Sequence, residues 1–214
     1  MSEIFREIDE ELRRDNLGKL WTRYGVYVVG LAVLIVAATA AVVGWRWYQE
    51  GVQRAESVRY AAALTLAQKN ELAQAADAFA LLAKEGGGGP ATLARLQEAT
   101  LRAKAGDESA AIATYKSLAQ DGAVDPIYRD LATLLAALHE LSSADPKAVI
   151  AEVAPLTAQG NAWRPSALEI TALAELREGE RDKARDTYKS IADDLTAPQG
   201  LRARAAEMAA ALAS

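Results

Sequence analysis

The side chains able to do chemistry are few and poorly placed for it. His139 is the one histidine, and cysteine is absent. One histidine without thiolates cannot build a usual zinc site, and thiolate catalysis and disulfides are excluded. A Ser-His-Asp arrangement is open by count, yet no G-x-S-x-G elbow accompanies the histidine. In the run LAALHEL, His139 reads as a partly buried residue near a helix end. The acids Asp193-Asp194 and Glu178-x-Glu180 fall at helix ends, where carboxylates favour a following N-terminus, rather than in a pocket suited to paired acid–base work. Gly86-Gly87-Gly88-Gly89 is followed by Pro90, with neither Lys-Ser/Thr nor a preceding strand, so it reads as an inter-element turn and candidate hinge, not a phosphate loop. Trp163, in Trp-Arg-Pro, reads as a ring wedged between neighbouring helices. The sequence predicts no enzyme, cofactor, metal or small-molecule substrate.

Stepping outward, the chain's strongest feature is an uncharged apolar run from Tyr24 to Trp45, closed by Arg23 and Arg46. Its 22 residues would reach ~33 Å as a helix, enough for a hydrocarbon core. Trp21, Tyr24 and Tyr27 at one end and Trp45, Trp47 and Tyr48 at the other suit the two headgroup regions. Trp21, Arg23, Tyr24, Trp45, Arg46 and Trp47 are therefore the expected interface residues of an anchor over 24–47. Ala38-Thr39-Ala40 resembles a signal cleavage site. The long acidic segment before the run, and its continuation into an aromatic girdle, favour an uncleaved anchor. Arg13, Arg14, Lys19 and Arg23 precede the run; Arg46, Arg54 and Arg59 follow it. With a short N-terminus and a long C-terminal part, this predicts the N-terminus in the cytoplasm and the rest outside. Residues 1–23 read as a tail whose Ile4, Ile8 and Leu12, with Phe5, form an amphipathic helix capped by Ser2 and broken by Asn16-Leu17-Gly18.

The formal net charge is −5, with five basic and six acidic residues in the tail and 19 and 23 beyond it. A mildly acidic C-terminal part is a poor partner for nucleic acid. Abundant alanine and scarce β-branched runs predict an all-helical domain over 48–214.

That domain is repetitive. Residues 106–119 (GDESAAIATYKSLA) align without a gap on 179–192 (GERDKARDTYKSIA), 73 residues later, and residues 70–83 (NELAQAADAFALLA) lie 36 before the first. Each copy begins with Gly or Asn and an acid. Small Ala75, Ala111 and Ala184 are followed four residues later by Phe79, Tyr115 and Tyr188. The small residue lets two helices approach; the ring, on the same face, fills the gap to the next unit. Pro90, Pro126, Pro165 and Pro198 recur at spacings of 36, 39 and 33 and punctuate the turns. The predicted units are 54–89, 90–125, 126–162 and 163–197, with 198–213 as a cap. The third has Ser142-Ser143 at its turn and an extra residue or two.

The unit resembles the tetratricopeptide repeat, so the expected fold is all-α: one transmembrane helix, then a solenoid of about four helical hairpins and a capping helix. Such solenoids bind protein segments on a concave face lined by first helices, here expected to include Tyr60, Leu64, Leu96, Thr100, Leu134, Leu138, Glu169 and Leu173. The layout as a whole, with Trp21, Arg23, Tyr24-Gly25 and Gly44-Trp45-x-Trp47-Tyr48 as its most specific residues, resembles the bacterial ancillary SecYEG translocon subunit family. That resemblance implies a single-pass inner-membrane protein with a periplasmic repeat domain, partnered by the bilayer, the translocon, and periplasmic chaperones or unfolded clients. It implies help in passing exported chains onward. A structural accessory subunit of another inner-membrane assembly, respiratory or envelope-building, is the alternative.

Overall fold

The structure, a computed structural model, describes residues 2–213; the side chains of 2–22 and of 25, 28, 32, 49, 50, 52 and 53 lie outside the described residues. The expectations for Ser2, Ile4, Phe5, Ile8, Leu12 and Trp21 rest on those side chains. The elements are α1 (Ser2–Gln68), α2 (Leu72–Glu85), α3 (Gly88–Lys104), α4 (Glu108–Ala119), α5 (Pro126–Glu140), α6 (Pro146–Val153), α7 (Arg164–Glu178), α8 (Arg181–Asp193) and α9 (Gln199–Ala211), with a 3-10 turn at Ala154–Thr157. No strand occurs among the described residues. The chain divides into two compact units, one ending at Ala55 and the other beginning at Glu56, and α1 contributes to both.

In the first unit α1 runs unbroken through Asn16-Leu17-Gly18, where the sequence suggested a break. Glycine and asparagine cost a helix about 1 kcal/mol or less. Neither removes a backbone donor as proline does, and good helix formers flank them. Val29–Tyr48 is apolar and long enough to cross a membrane, and its described side chains are all exposed. Within it, the Thr39 hydroxyl donates back to the Ile35 carbonyl at 2.8 Å, so this polar group in the apolar stretch needs no partner from the surroundings.

The second unit is four hairpins and a cap. The end of α1 pairs with α2, α3 with α4, α5 with α6, and α7 with α8; α9 closes the series. The aligned turn residues do the same backbone work in three hairpins. Asn70, Gly106 and Gly179 have φ of 63, 92 and 87°, the left-handed region that glycine enters freely and asparagine tolerates. One residue on, the amides of Glu71, Asp107 and Glu180 bond to the carbonyls of Leu66, Arg102 and Glu175, the six-to-one closure of a Schellman turn. These acids then stand at the N-caps of α2, α4 and α8, where only the Asp107 side chain makes a capping bond. Pro126 and Pro146 open their helices behind Asp125 and Asp145, each of which caps through its carboxylate.

The small-then-large spacing is also realised. Ala75, Ala111 and Ala184 are fully buried, as are Phe79 and, to within two per cent, Tyr115 and Tyr188. The third hairpin joins the series with valines: Val149 and Val153 hold the small and large positions, both buried. Its turn spans 141–145, longer than the others, and Pro155 converts the end of its second helix into the 3-10 turn, since proline cannot continue the helical bonding. The core is four clusters in succession, each formed by one hairpin and the helix that follows it.

Candidate interaction surface

The first helices position the residues expected on a partner-binding face, and some of them point into the joints. Leu96 packs with Ala132 and Ala136 of α5, and Leu134 with Ala167 and Ile170 of α7. Both leucines are core and are withdrawn from a contact surface. Tyr60 stacks edge-on against Phe79, centroids 5.0 Å apart. The Thr100 hydroxyl is 2.9 Å from the Tyr115 phenol oxygen. Glu169 accepts two bonds from the Arg204 guanidinium on α9, at 2.8 and 3.1 Å. Leu96 and Leu134 fit the period of the expected face, and in this stack they turn toward the following hairpin. Leu64 and Leu138 do reach solvent, the latter 47% exposed, and Leu173 is half-buried. Exposed apolar side chains that sequence reasoning passed over are Val58, Leu93 and Ile127 on first helices and Leu81 on α2. Only their failure to match the buried repeat positions could have marked them.

The joints are pinned by polar pairs. Arg102 reaches Asp77 across the first joint at 3.5 Å. At the second, His139 Nδ1 lies 2.8 Å from Glu108 Oε2, and its ring stacks on Tyr115 at 5.8 Å. His139 is thus a half-buried joint residue. Lys116 donates to Glu140 at 2.5 Å and lies 3.7 Å from Glu152. Burial, then the hydrogen bond with Glu140, raises the Glu152 carboxyl above its ordinary value, while Lys116 pulls the other way. The same contacts, led by the Glu140 bond, raise Lys116. Burial also raises the phenols of Tyr115 and Tyr188, which therefore stay neutral fillers. At the third joint Lys147 pairs with Glu178 at 2.9 Å, and Trp163 donates its indole N–H to the Ile127 carbonyl at 3.0 Å. The tryptophan sits between units three and four, as its sequence setting suggested.

Two grooves open on the repeat body. One, about 430 Å³, is polar and lined by Gln159, Gly160, Arg164, Ser190, Asp193, Asp194 and Thr196. Two of its charges are paired: Arg164 to Asp194 at 2.7 Å, with Thr196 donating to the same carboxylate and holding it below the usual range. The other, about 420 Å³, lies between α1 and α2 and is mainly apolar. No group of three or more potential metal-ligating side chains occurs among the described residues.

Along the apolar stretch of α1, the Arg23 guanidinium stands 6.0 Å from the Tyr24 ring centroid, and Trp45 and Tyr48 are 6.4 Å apart. Tyr24, Trp45 and Trp47 are exposed, as is Arg46.

Stacked hairpins with a small–large packing code, a left-handed turn residue and polar joints define a helical-repeat interaction protein. Residues 19–209 match the tetratricopeptide repeat-like domain family, and the chain belongs to it. The matched region takes in the apolar span as well as the hairpins. No curated protein sequence matches the chain.

Proposed function

We propose that this chain is a membrane-anchored adaptor that holds its repeat body on the periplasmic side of a bacterial inner membrane, beside the Sec translocon, and helps hand exported chains to chaperones. In this reading residues 1–23 are a cytoplasmic tail, 24–47 the anchor, and 48–214 the interaction domain. The observation that carries it is the union, in one chain, of an apolar helix exposed on every described side and a tetratricopeptide repeat-like body. Such bodies bind protein segments, and an anchor confines that binding to the membrane surface. Sidedness in this reading follows from the basic residues ahead of the span. Leu64 and Leu138, exposed on first helices, are the proposed contacts from the expected face.

The test is photocrosslinking in native membranes from residues substituted at Leu64 and Leu138. Recovery of translocon subunits together with exported chains is the expected result. Recovery of a respiratory or envelope-building assembly without the translocon overturns it in favour of an accessory-subunit role.

A further inference from the structure

The groove between α1 and α2 departs from its own repeats. Its floor and walls are Ala62, Leu66, Ala78 and Leu81, with Arg59 and Glu85 at its mouth. Thirty-six residues on, the same positions are Glu98, Arg102, Thr114 and Ser117; in the fourth hairpin they are Thr171, Glu175, Thr187 and Ser190. Those side chains are satisfied within their own hairpins. Arg102 donates to Glu98 at 2.9 Å, Arg95 to Ser117 at 3.0 Å, and Thr187 to Glu175 at 2.9 Å. Where two hairpins carry self-contained polar surface, the first carries aliphatic surface.

The joints show what that surface lacks. On α5, Leu131 and Leu135 are half-buried because Tyr115 and Leu118 of α4 pack over them. Their counterparts 73 residues earlier are Val58 and Ala62, and Val58 is 70% exposed. Within the second unit no hairpin precedes the first, so its receiving face has no cover there. The opposite end of the stack is finished. α9 turns Leu201, Ala205 and Ala209 inward, Arg204 is held by Glu169, and Arg202 donates to the Ala192 carbonyl at 3.2 Å. No exposed position of α9 carries a large apolar side chain. α9 itself therefore offers no apolar surface to a head-to-tail contact, which would leave an open chain of copies.

The mouth charges match a two-fold contact instead. Arg59 Nη1 is 2.6 Å from Glu85 Oε2 and both side chains are half-exposed. A face carrying one cation and one anion is complementary to a rotated copy of itself.

We propose that this groove is an isologous contact between two copies of the chain, in which Val58 and Leu81 of each copy meet their own counterparts about the two-fold axis over the alanine floors, with Arg59 and Glu85 exchanged across it. The contact buries the one receiving face the stack leaves bare and closes at two copies.

The absence of cysteine makes the test clean. Single-cysteine variants Val58→Cys, Leu81→Cys and, as a remote exposed control, Leu195→Cys are made in the full chain, reconstituted in lipid vesicles and oxidised. Disulfide-linked dimers are expected at Val58→Cys and Leu81→Cys, several-fold above Leu195→Cys. Adding Ala62→Arg, at an exposed position that should leave thermal unfolding unchanged, should abolish them. Adding Arg59→Glu should weaken them, and Arg59→Glu with Glu85→Arg should restore them. Monomers at Val58→Cys and Leu81→Cys, equal crosslinking at all three positions, or dimers indifferent to Ala62→Arg would each overturn the proposal. So would crosslinking to a species of another mass, which would assign the groove to a different protein.

Discussion

The second and third hairpins solve the same packing problem with different parts. In the second, a glycine turn at Gly106 closes three residues between helices, and Ala111 and Tyr115 make the small–large pair. The Tyr115 ring reaches back to Thr100 and forward to His139, so one side chain joins three first- and second-helix surfaces. In the third, the pair is Val149 and Val153, two residues of one size, both buried. No left-handed residue occurs in 141–145. Beside its own bonds from the Ser143 and Ala144 amides to the Glu140 carbonyl, the turn is held from outside: the Arg177 guanidinium donates to the carbonyls of Leu141 and Ala144. Asn161 and Trp163 add bonds back to Asp130 and Ile127. A repeat can thus lose its local code and remain a hairpin if the next unit supplies the missing contacts.

The comparison breaks most visibly at the large position. Tyr115→Ala should cost roughly 3–5 kcal/mol, as for other buried aromatics, and should leave the joint to α5 without its filler. Val153→Ala removes far less volume and should cost about 2 kcal/mol. Denaturant midpoints of the two variants measure the gap; equal losses would mean that the valine hairpin carries as much of the joint as the tyrosine one. Next is the small position. Ala111→Val should destabilise by about 1–3 kcal/mol through overpacking, although valine is the native residue at the equivalent Val149. If Ala111→Val is neutral, the helix spacing in the second hairpin is not set by alanine.

Much of this was legible in the sequence, and the reason is constancy of spacing. Ala75, Ala111 and Ala184, with their rings four residues on, recur because the hairpin geometry fixes both a close approach and a gap. The third hairpin was obscured where the geometry changed: two valines replace a distinctive pair and a longer turn shifts the register. The surface was less legible. Leu96 and Leu134 fit the period of a first-helix face, but period alone does not say whether that face meets solvent or the next hairpin. The His139–Glu108 contact was unreadable for a related reason, since it joins residues 31 positions apart across a joint.

A smaller effect separates the two turns. Gly106, at φ 92°, has no heavy atom within 4 Å of where a Cβ would stand, so Gly106→Ala should cost only the backbone term, about 1–2 kcal/mol. Gly106→Asn should cost less, because Asn70 already fills that role in the first hairpin. In the third hairpin Ser143→Ala should be close to neutral, while Arg177→Ala should cost about 0.5–1.5 kcal/mol by uncapping two carbonyls. Thermal unfolding of the four variants tests the assignment, and a costly Ser143→Ala would refute the view that this turn is held from outside.

The smallest expected effect concerns the charges at the joint between these hairpins. Two carboxyls, Glu140 and Glu152, share Lys116, and Glu152 is raised above its ordinary 4.5 by burial first and by its bond with Glu140 second. A carboxyl whose folded value is raised holds its proton more tightly in the native state. Its contribution to stability is present below the unfolded value and is lost as pH rises through the folded one. At neutral pH the ionised Glu152 is therefore a modest liability. Glu152→Gln keeps the shape and the donor of the protonated form, so its unfolding midpoint should lie above that of the parent at pH 7. The advantage should shrink as the pH falls toward 4.5, where the parent gains the proton that the amide imitates. An advantage constant with pH, or a loss at pH 7, would mean that the attraction of Lys116 outweighs burial and that the charged form of Glu152 holds the joint.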